Sequence, residues 1–575
     1  MEPSAVTDSA ARSRRPPLRW SQRLALAAAV AALAAVSLHR LGAADVCGAN
    51  EAVEAVFLQQ MVENGHLLFP LENGGAPMYK PPLFHWTATA IDRIAGIHRV
   101  TAWNLRLPTA LYAIAGIILT LAFALDFLGP DAAALAGLIL AGSYQYVENA
   151  RIGRVDMTLA VCETLALFAF MWWYAPRGAP GAAPAPGRRG RDALRYLLAA
   201  ALGLGVLAKG PVGAMLPALA IAIFLVAERR PLEILRLATP GPAATTVLLG
   251  ASWYAACLFG RRYGFLDRQI GSENFGRFFG ALGAMPPWYY LKPLLFNSFP
   301  FSLIAPVAVY AALRWRTVAA DQPPPDPPSR PRQNPLSFLT SLRMMFLPAL
   351  DSAIGDDPLA APRARAAVRL GAIFYLTTVI FFSIAAYKRR AYLLPSWPIL
   401  AVVIAWWIER LARRRAGRFL RMGTVAAAVI MIAVNFFYLP AKEVRDCAND
   451  SFRAAAAEIN RVVGPAEPLY LYRFEDEPAP LLFYLHRTAP RISGKLGDAP
   501  PGYVLVPLGL WERIKDQALD LRPVLTTSSG RPRLVLLRRG PAYAAAVPSW
   551  PEQLNFFPHF RLSIIDYLYS EETCR

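Results

Sequence analysis

The chain is short of the features that mark a soluble enzyme. Charged residues make up only 17% of its 575 positions and the mean hydropathy is +0.32, where a soluble domain carries about a quarter charged residues. Its five cysteines include no C-x-x-C pair, and its six histidines show no H-x-x-x-H or H-E-x-x-H spacing. No metal site and no cofactor are therefore expected from local motifs. Lys209 in GVLAKGPVG is followed by Gly210 and Pro211, with no Ser or Thr for magnesium, so this is not a phosphate-binding P-loop. There is no internal repeat of the kind common in transporters.

What is present is apolar sequence, 55% of the chain. Runs approaching the ~20 residues that cross a bilayer as a helix fall at about 24–41, 105–128, 131–148, 157–174, 194–209, 212–227, 243–259, 291–312, 368–386, 391–408 and 422–440. The expected fold class is an α-helical polytopic membrane protein of about eleven spans. A formal charge of +20 would suggest nucleic acid in a soluble chain. Here most of the excess arginine sits in short loops, which reads as topology signal and anionic-lipid contact, with no nucleic acid.

Residues 1–23 form an arginine-rich tail, expected in the cytoplasm. A cleaved signal peptide ending near Gly42-Ala43-Ala44 competes with an anchor for the first run, and the many later spans favour the anchor. The transmembrane part then covers 24–440, with an exterior catalytic loop at 42–104 and a cytoplasmic insertion at 313–367. Two proline-rich segments, 175–191 and 320–335, cannot bury a core. From 441 to 575 the pattern is that of a small exterior α/β domain: a helix at SFRAAAAEINRVV, strands at PLYLYRF and GYVLVP, helices at PLLFYLHR and LWERIKDQAL, and a final strand pair. Cys447 and Cys574 near its two ends are expected to form a disulfide in an oxidising compartment.

The stretch from Asn50 to Trp86 lies between spans yet carries carboxylates, a lysine and a Lys80-Pro81-Pro82 break. Val53, Val56, Phe57, Gln60 and Met61 fall on one helical face, as in a helix lying along the membrane surface. More basic groups cluster at the expected exterior ends of spans, where topology disfavours them: Arg151, Arg154, Lys209, Arg261, Arg262, Arg277, Lys388, Arg389 and Arg390. Each alone is explained by snorkelling or by a nearby acid. Together they form a cationic basin suited to a phosphate.

The segments MYKPPLFHW, LRLPTAL, RIGRVDM, LAKGPVG, NFGRF with PWYY, and FFSIAAYKRRAYLLPSWPILA, in that order between spans, resemble the bacterial membrane glycosyltransferases that include the lipid A aminoarabinose transferase and the dolichyl-phosphate-mannose protein mannosyltransferases. The resemblance implies the C-type glycosyltransferase fold in a bacterial inner membrane. It also implies an inverting transfer of sugar from a polyprenyl-phosphate donor to a lipid, glycan or protein acceptor at the exterior face. By matching position, Lys80 would hold the lipid phosphate with Arg277 and Lys388, and Asp156 would be an active-site carboxylate. Asn50, Tyr79, Arg154, Lys209, Tyr289 and Arg389 would line the donor and acceptor pocket. The family usually has an Asp-Glu pair and then an Arg-Tyr pair where this chain has Asn50, Glu51, Val53 and Glu54, and an acid where it has Tyr79. An asparagine is no general base, which leaves Glu51 or Glu54 to take that part. A catalytically inactive relative that binds polyprenyl phosphate and a lipid-linked sugar transporter are the alternatives. Bond cleavage separates the enzyme from both.

Overall fold

The computed structural model describes residues 17–539, except 176–187, 316–361 and short stretches at 74, 282, 414, 449, 475–477, 493, 516–519 and 529–532. The segment 320–335, most of 175–191, most of the arginine-rich tail and Cys574 thus lie outside the described residues.

The chain is a polytopic helical membrane protein. Among the described residues seven helices are long and apolar enough to cross a membrane: α1 (Trp20–Leu38), α4 (Ala102–Phe127), α7 (Val155–Tyr174), and the helical segments Pro240–Phe259, Pro362–Ile384, Arg390–Ala412 and Gly417–Cys447. Three shorter apolar helices, α5 (Pro130–Gly142), α9 (Val212–Ala227) and Phe301–Arg314, accompany them, as does α8 (Arg188–Lys209). The buried centre of this unit is aromatic and aliphatic, with Phe123 stacked on Phe168 and Phe170 packed against Phe224.

Two of the expected runs are not continuous helices. The run at 131–148 breaks at Ser143, whose backbone is extended, and resumes as α6 (Tyr144–Ala150). Buried Gln145 pins the break. Its amide nitrogen donates to the Arg390 carbonyl, and its carbonyl oxygen accepts from Asn297 at 3.0 Å and the Trp397 indole at 3.1 Å. The run at 291–312 is interrupted between Leu291–Phe296 and Ala305–Arg314, where Pro300 offers no N–H to continue a helix.

The connector between α1 and α4 contains α2 (Ala49–Val62), a two-residue hairpin of β1 (Leu71–Glu72) and β2 (Ala76–Pro77), and α3 (Leu83–Ile94). Against expectation, α2 does not lie along a surface. Glu51, Glu54 and Gln59 are buried along with Val53, Phe57 and Met61. The physical reason is that its polar side chains have internal partners: Gln59 donates to the Phe483 carbonyl at 2.8 Å, and the two glutamates are held as described below.

The described residues within 457–474 and 489–539 form a second compact unit, while those within 478–488 belong with the helical unit. The PLLFYLHR segment, expected in the exterior domain, is therefore a helix (Ala479–Leu485) packed on α2. The second unit holds a five-stranded sheet of order β4-β3-β5-β7-β6, from β3 (Leu469–Tyr472), β4 (Arg491–Ile492), β5 (Gly502–Pro507), β6 (Leu521–Thr526) and β7 (Leu534–Arg539). β3 pairs in parallel with β4 and β5, and β5, β7 and β6 pair antiparallel. Alternate residues Val504, Val506, Val535 and Leu537 pack with Trp511 beneath it.

The disulfide also differs from expectation. Cys447 pairs with Cys47, in the connector, with Cα atoms 5.6 Å apart and 400 residues between them. The sequence pattern offered no spacing to link a connector cysteine to the end of the last long helix, whereas packing brings the two together. Peptide mapping without reductant is expected to yield a cross-linked Cys47–Cys447 peptide that disappears on reduction. A Cys447–Cys574 peptide would contradict this pairing.

Candidate functional site

The site is built around the connector, which two arginines fix to the helix ends. Arg106, one turn into α4, makes a two-pronged contact with Glu51, Nε to Oε1 at 2.7 Å and Nη2 to Oε2 at 2.9 Å. The remaining N–H groups of Arg106 donate to the carbonyls of Leu41, Ala44 and Asp45. Glu51 Oε1 also accepts the Gly153 N–H at 2.8 Å. Burial would push the Glu51 carboxyl up, but Arg106 and the Gly153 N–H outweigh it and hold the group below its ordinary value. Arg151 acts in the same way, gripping Glu443 with two nitrogens and the carbonyls of Val36 and His39 with another. A planar five-donor guanidinium suits this work better than an ammonium.

Glu54, one turn beyond Glu51, is wholly buried. Its Oε1 accepts from Lys80 Nζ and lies 3.4 Å from the Tyr79 hydroxyl, and its Oε2 lies 3.1 Å from His85 Nε2. Burial alone would raise this carboxyl, yet Lys80 and His85 bring it down to about 2. Lys80, whose side chain is 6% exposed, also sits over the Tyr79 ring at 4.6 Å, and Arg268 approaches that ring at 5.4 Å. Burial pulls the Lys80 ammonium below its ordinary range. Glu54, Asp156 and Glu273 counter that pull, and Arg154 adds to it. Lys80 is thus within electrostatic reach of the next cluster.

That cluster is Asp156, in the first turn of α7, with Lys209 Nζ at 2.5 Å and Arg154 Nη2 at 3.1 Å. Lys209 ends α8, which packs along α7, so the two helices bring an acid and a base to one end. Lys209 Nζ lies 4.7 Å above the Tyr392 ring, and Arg277 Nη1 donates to the Tyr392 hydroxyl at 3.3 Å. Arg277 follows a π-helical stretch, Asp267–Gly276, pairs with Glu273 at 2.8 Å, and shares the Tyr387 ring with Arg389. Arg389 Nη1 donates to Asn50 Oδ1 at 2.8 Å. A continuous chain of contacts therefore runs from Asn50 through Arg389, Tyr387, Arg277, Tyr392 and Lys209 to Asp156 and Arg154, and Lys80 and Glu54 adjoin it electrostatically.

Two expected residues stand apart. Lys388 spends its ammonium on the carbonyls of Met285 and Ala385, at 3.1 and 2.6 Å, and so braces the chain between two loops. Tyr289 meets Tyr290 edge-on at 5.1 Å and, among the described residues, makes no side-chain hydrogen bond to the charged groups. The sequence reading missed His85, Tyr387 and Tyr392, although all three lie inside segments it singled out. Their signal was an aromatic beside a cation, which is too common to stand out in a chain with 11% aromatic residues.

Residues 79–254 match the dolichyl-phosphate-mannose-protein mannosyltransferase family. The crystal structure of ArnT from Cupriavidus metallidurans bound to undecaprenyl phosphate has a TM-score of 0.69 at 17% identity, over 92% of this chain and 99% of that one. The chain has the C-type membrane glycosyltransferase fold. An Archaeoglobus fulgidus oligosaccharyltransferase tethered to an acceptor peptide shares it more distantly, with a TM-score of 0.51 at 14% identity over 86% of this chain and 70% of that one. An uncharacterised Aquifex aeolicus protein is 27% identical over 277 residues, 48% of this chain and 52% of that one. The undecaprenyl phosphate-alpha-4-amino-4-deoxy-L-arabinose arabinosyl transferase of Pectobacterium atrosepticum is 27% identical over 259 residues, 42% of this chain and 38% of its own. The chain thus matches about half the length or less of these two relatives.

Because both Glu51 oxygens are engaged, Glu51→Gln is expected to act on folding. Arg106→Gln leaves a buried carboxylate unpaired, at a cost of about 3–5 kcal/mol, which a fall in the thermal midpoint would report. Unchanged thermal midpoints in both variants would contradict the clamp.

Proposed function

We propose that this protein transfers a sugar from a polyprenyl-phosphate donor to a lipid, glycan or protein acceptor at the exterior face of a bacterial inner membrane. The observation that carries the reading is the convergence of Lys80, Arg154, Lys209 and Arg277 with Glu54 and Asp156 at one end of the helices. Several fixed cations in a dry site do for a lipid phosphate what a bound metal does for a nucleotide: they stabilise the charge that develops as it leaves. The acceptor oxygen forms its bond to the anomeric carbon, with inversion, while the bond from that carbon to the phosphate oxygen breaks and the electron pair stays on phosphate. A hydroxyl acceptor gives its proton to a carboxylate within hydrogen-bond reach.

Lys80 and Arg277 are assigned to the phosphate. Asp156 and Glu54 are the candidate proton acceptors, and Glu51 is assigned to structure. Lys388, whose ammonium is held by the carbonyls of Met285 and Ala385, is assigned to shaping the pocket. The Cys47–Cys447 disulfide supports an oxidising compartment for the connector, and the arginine-rich loops around Arg229 to Arg236 and Arg410 to Arg421 support the cytoplasm for the other helix ends.

The test is a labelled polyprenyl-phosphate sugar offered with a panel of acceptors. Lys80→Ala is expected to weaken donor binding about tenfold or more, the worth of a charge-assisted hydrogen bond. Asp156→Asn or Glu54→Gln is expected to keep binding and lose turnover. Glu54 is the largest influence holding the Lys80 ammonium up against burial, so Glu54→Gln should move the loss of donor binding at alkaline pH to a lower pH. Donor binding with neither hydrolysis nor transfer would favour an inactive relative, and translocation without bond cleavage would favour a transporter.

A further inference from the structure

His85 lies in the MYKPPLFHW segment and has no part in the transfer as described. Its ring is wholly buried near the start of α3, with Phe84 edge-on at 5.2 Å and Phe57 at 6.2 Å. Packing in such a place is served as well by phenylalanine. A histidine brings two polar nitrogens into apolar surroundings, and each unmet buried group costs its desolvation. Among the described residues neither Nδ1 nor Nε2, nor Oε2 of Glu54, makes a hydrogen bond, so the cost is borne. Nε2 lies 3.1 Å from Glu54 Oε2, while Glu54 Oε1 meets Lys80 and Tyr79. The two oxygens of one carboxylate are therefore divided between a ring nitrogen within the core and the Lys80 ammonium.

We propose that His85 is a positioning residue for the donor grip: its Nε2, 3.1 Å from Oε2 of Glu54, occupies that side of the carboxylate, so that Oε1 faces Lys80 and holds the ammonium in place. The proposal rests on the reading of Lys80 as a ligand of the donor phosphate. The arrangement also explains how the chain manages without an acid before that lysine. Tyr79 stands in that position, and the carboxylate arrives from α2 instead, with a histidine to set its orientation. Without His85, Glu54 can rotate its second oxygen onto Lys80 or Tyr79 and draw the ammonium inward, away from a phosphate. Lys80, His85 and Tyr79 are the groups in contact with Glu54, and Arg154 acts on it at longer range.

The experiment uses the full chain in detergent with undecaprenyl phosphate as the probe, reading its Kd and the thermal midpoint for wild type, His85→Phe, His85→Gln, Glu54→Gln and the double variant Glu54→Gln/His85→Phe. His85→Phe keeps the aromatic packing and is expected to fold with its thermal midpoint unchanged or raised, while Kd rises on the order of tenfold. His85→Gln retains an N–H donor and is expected to stay within about threefold of wild type. In the Glu54→Gln background His85→Phe should add nothing, because its effect passes through that carboxylate. If His85→Phe fails to fold, His85→Leu takes its place beside His85→Gln. Wild-type Kd in His85→Phe, equal losses in the Phe and Gln variants, or losses that multiply in the double variant would each overturn the proposal. If the wild-type protein does not bind the probe, the functional reading fails and takes this proposal with it. If wild type binds, Lys80→Ala weakens binding and His85→Phe does not, only the proposal fails.

Discussion

A charge placed among packed helices must be paired, because the free energy of removing it from water is several kcal/mol even after relaxation. The contact between Glu54 and Lys80 meets that requirement and does more. It joins α2 to the turn that precedes α3, so two parts of the connector hold each other in register. It also leaves a cation within electrostatic reach of Arg154 and of Asp156, which Lys209 holds in turn. Pairing is what allows a lysine to be buried there and yet stay available to an anion of higher charge density.

The basic excess of the chain separates into two groups with different work. Arg106 and Arg151 turn inward, each dividing its donors between a carboxylate and several backbone carbonyls at helix ends. They close the ends of α1 and α4 against the connector, and Arg106 has all five of its N–H groups engaged. Lys80, Arg154, Lys209 and Arg277 instead pair with single acids or aromatic rings. Such contacts keep a cation in place while leaving some of its donors open. The rings and hydroxyls of Tyr387 and Tyr392 link Arg389, Arg277 and Lys209, which spaces like charges apart without neutralising them.

Much of this was legible in the order of residues. Apolar runs mark the long helices because the bilayer demands their length, and the cations at their ends were visible as charges that interrupt those runs. Three things were not legible. The break at Ser143 depends on Gln145 finding partners from Asn297, Arg390 and Trp397, which no local pattern reveals. The burial of α2 depends on partners as far away as Phe483, so its amphipathic spacing suggested a surface that packing covers. The pairing of Cys447 with Cys47, 400 residues away, is set by tertiary structure alone. At the site itself, the substitution of Tyr79 for an acid looked like a loss until the fold brought Glu54 to the same lysine.

The measurement that bears most directly on the central claim is a cryo-EM structure of the protein in a lipid nanodisc with undecaprenyl phosphate bound. The phosphate is predicted within hydrogen-bond distance, about 2.7–3.2 Å, of Lys80 Nζ and of a guanidinium of Arg154 or Arg277, with Glu54 still on His85. A phosphate lodged elsewhere, with Lys80 untouched and still closed on Glu54, would contradict the account.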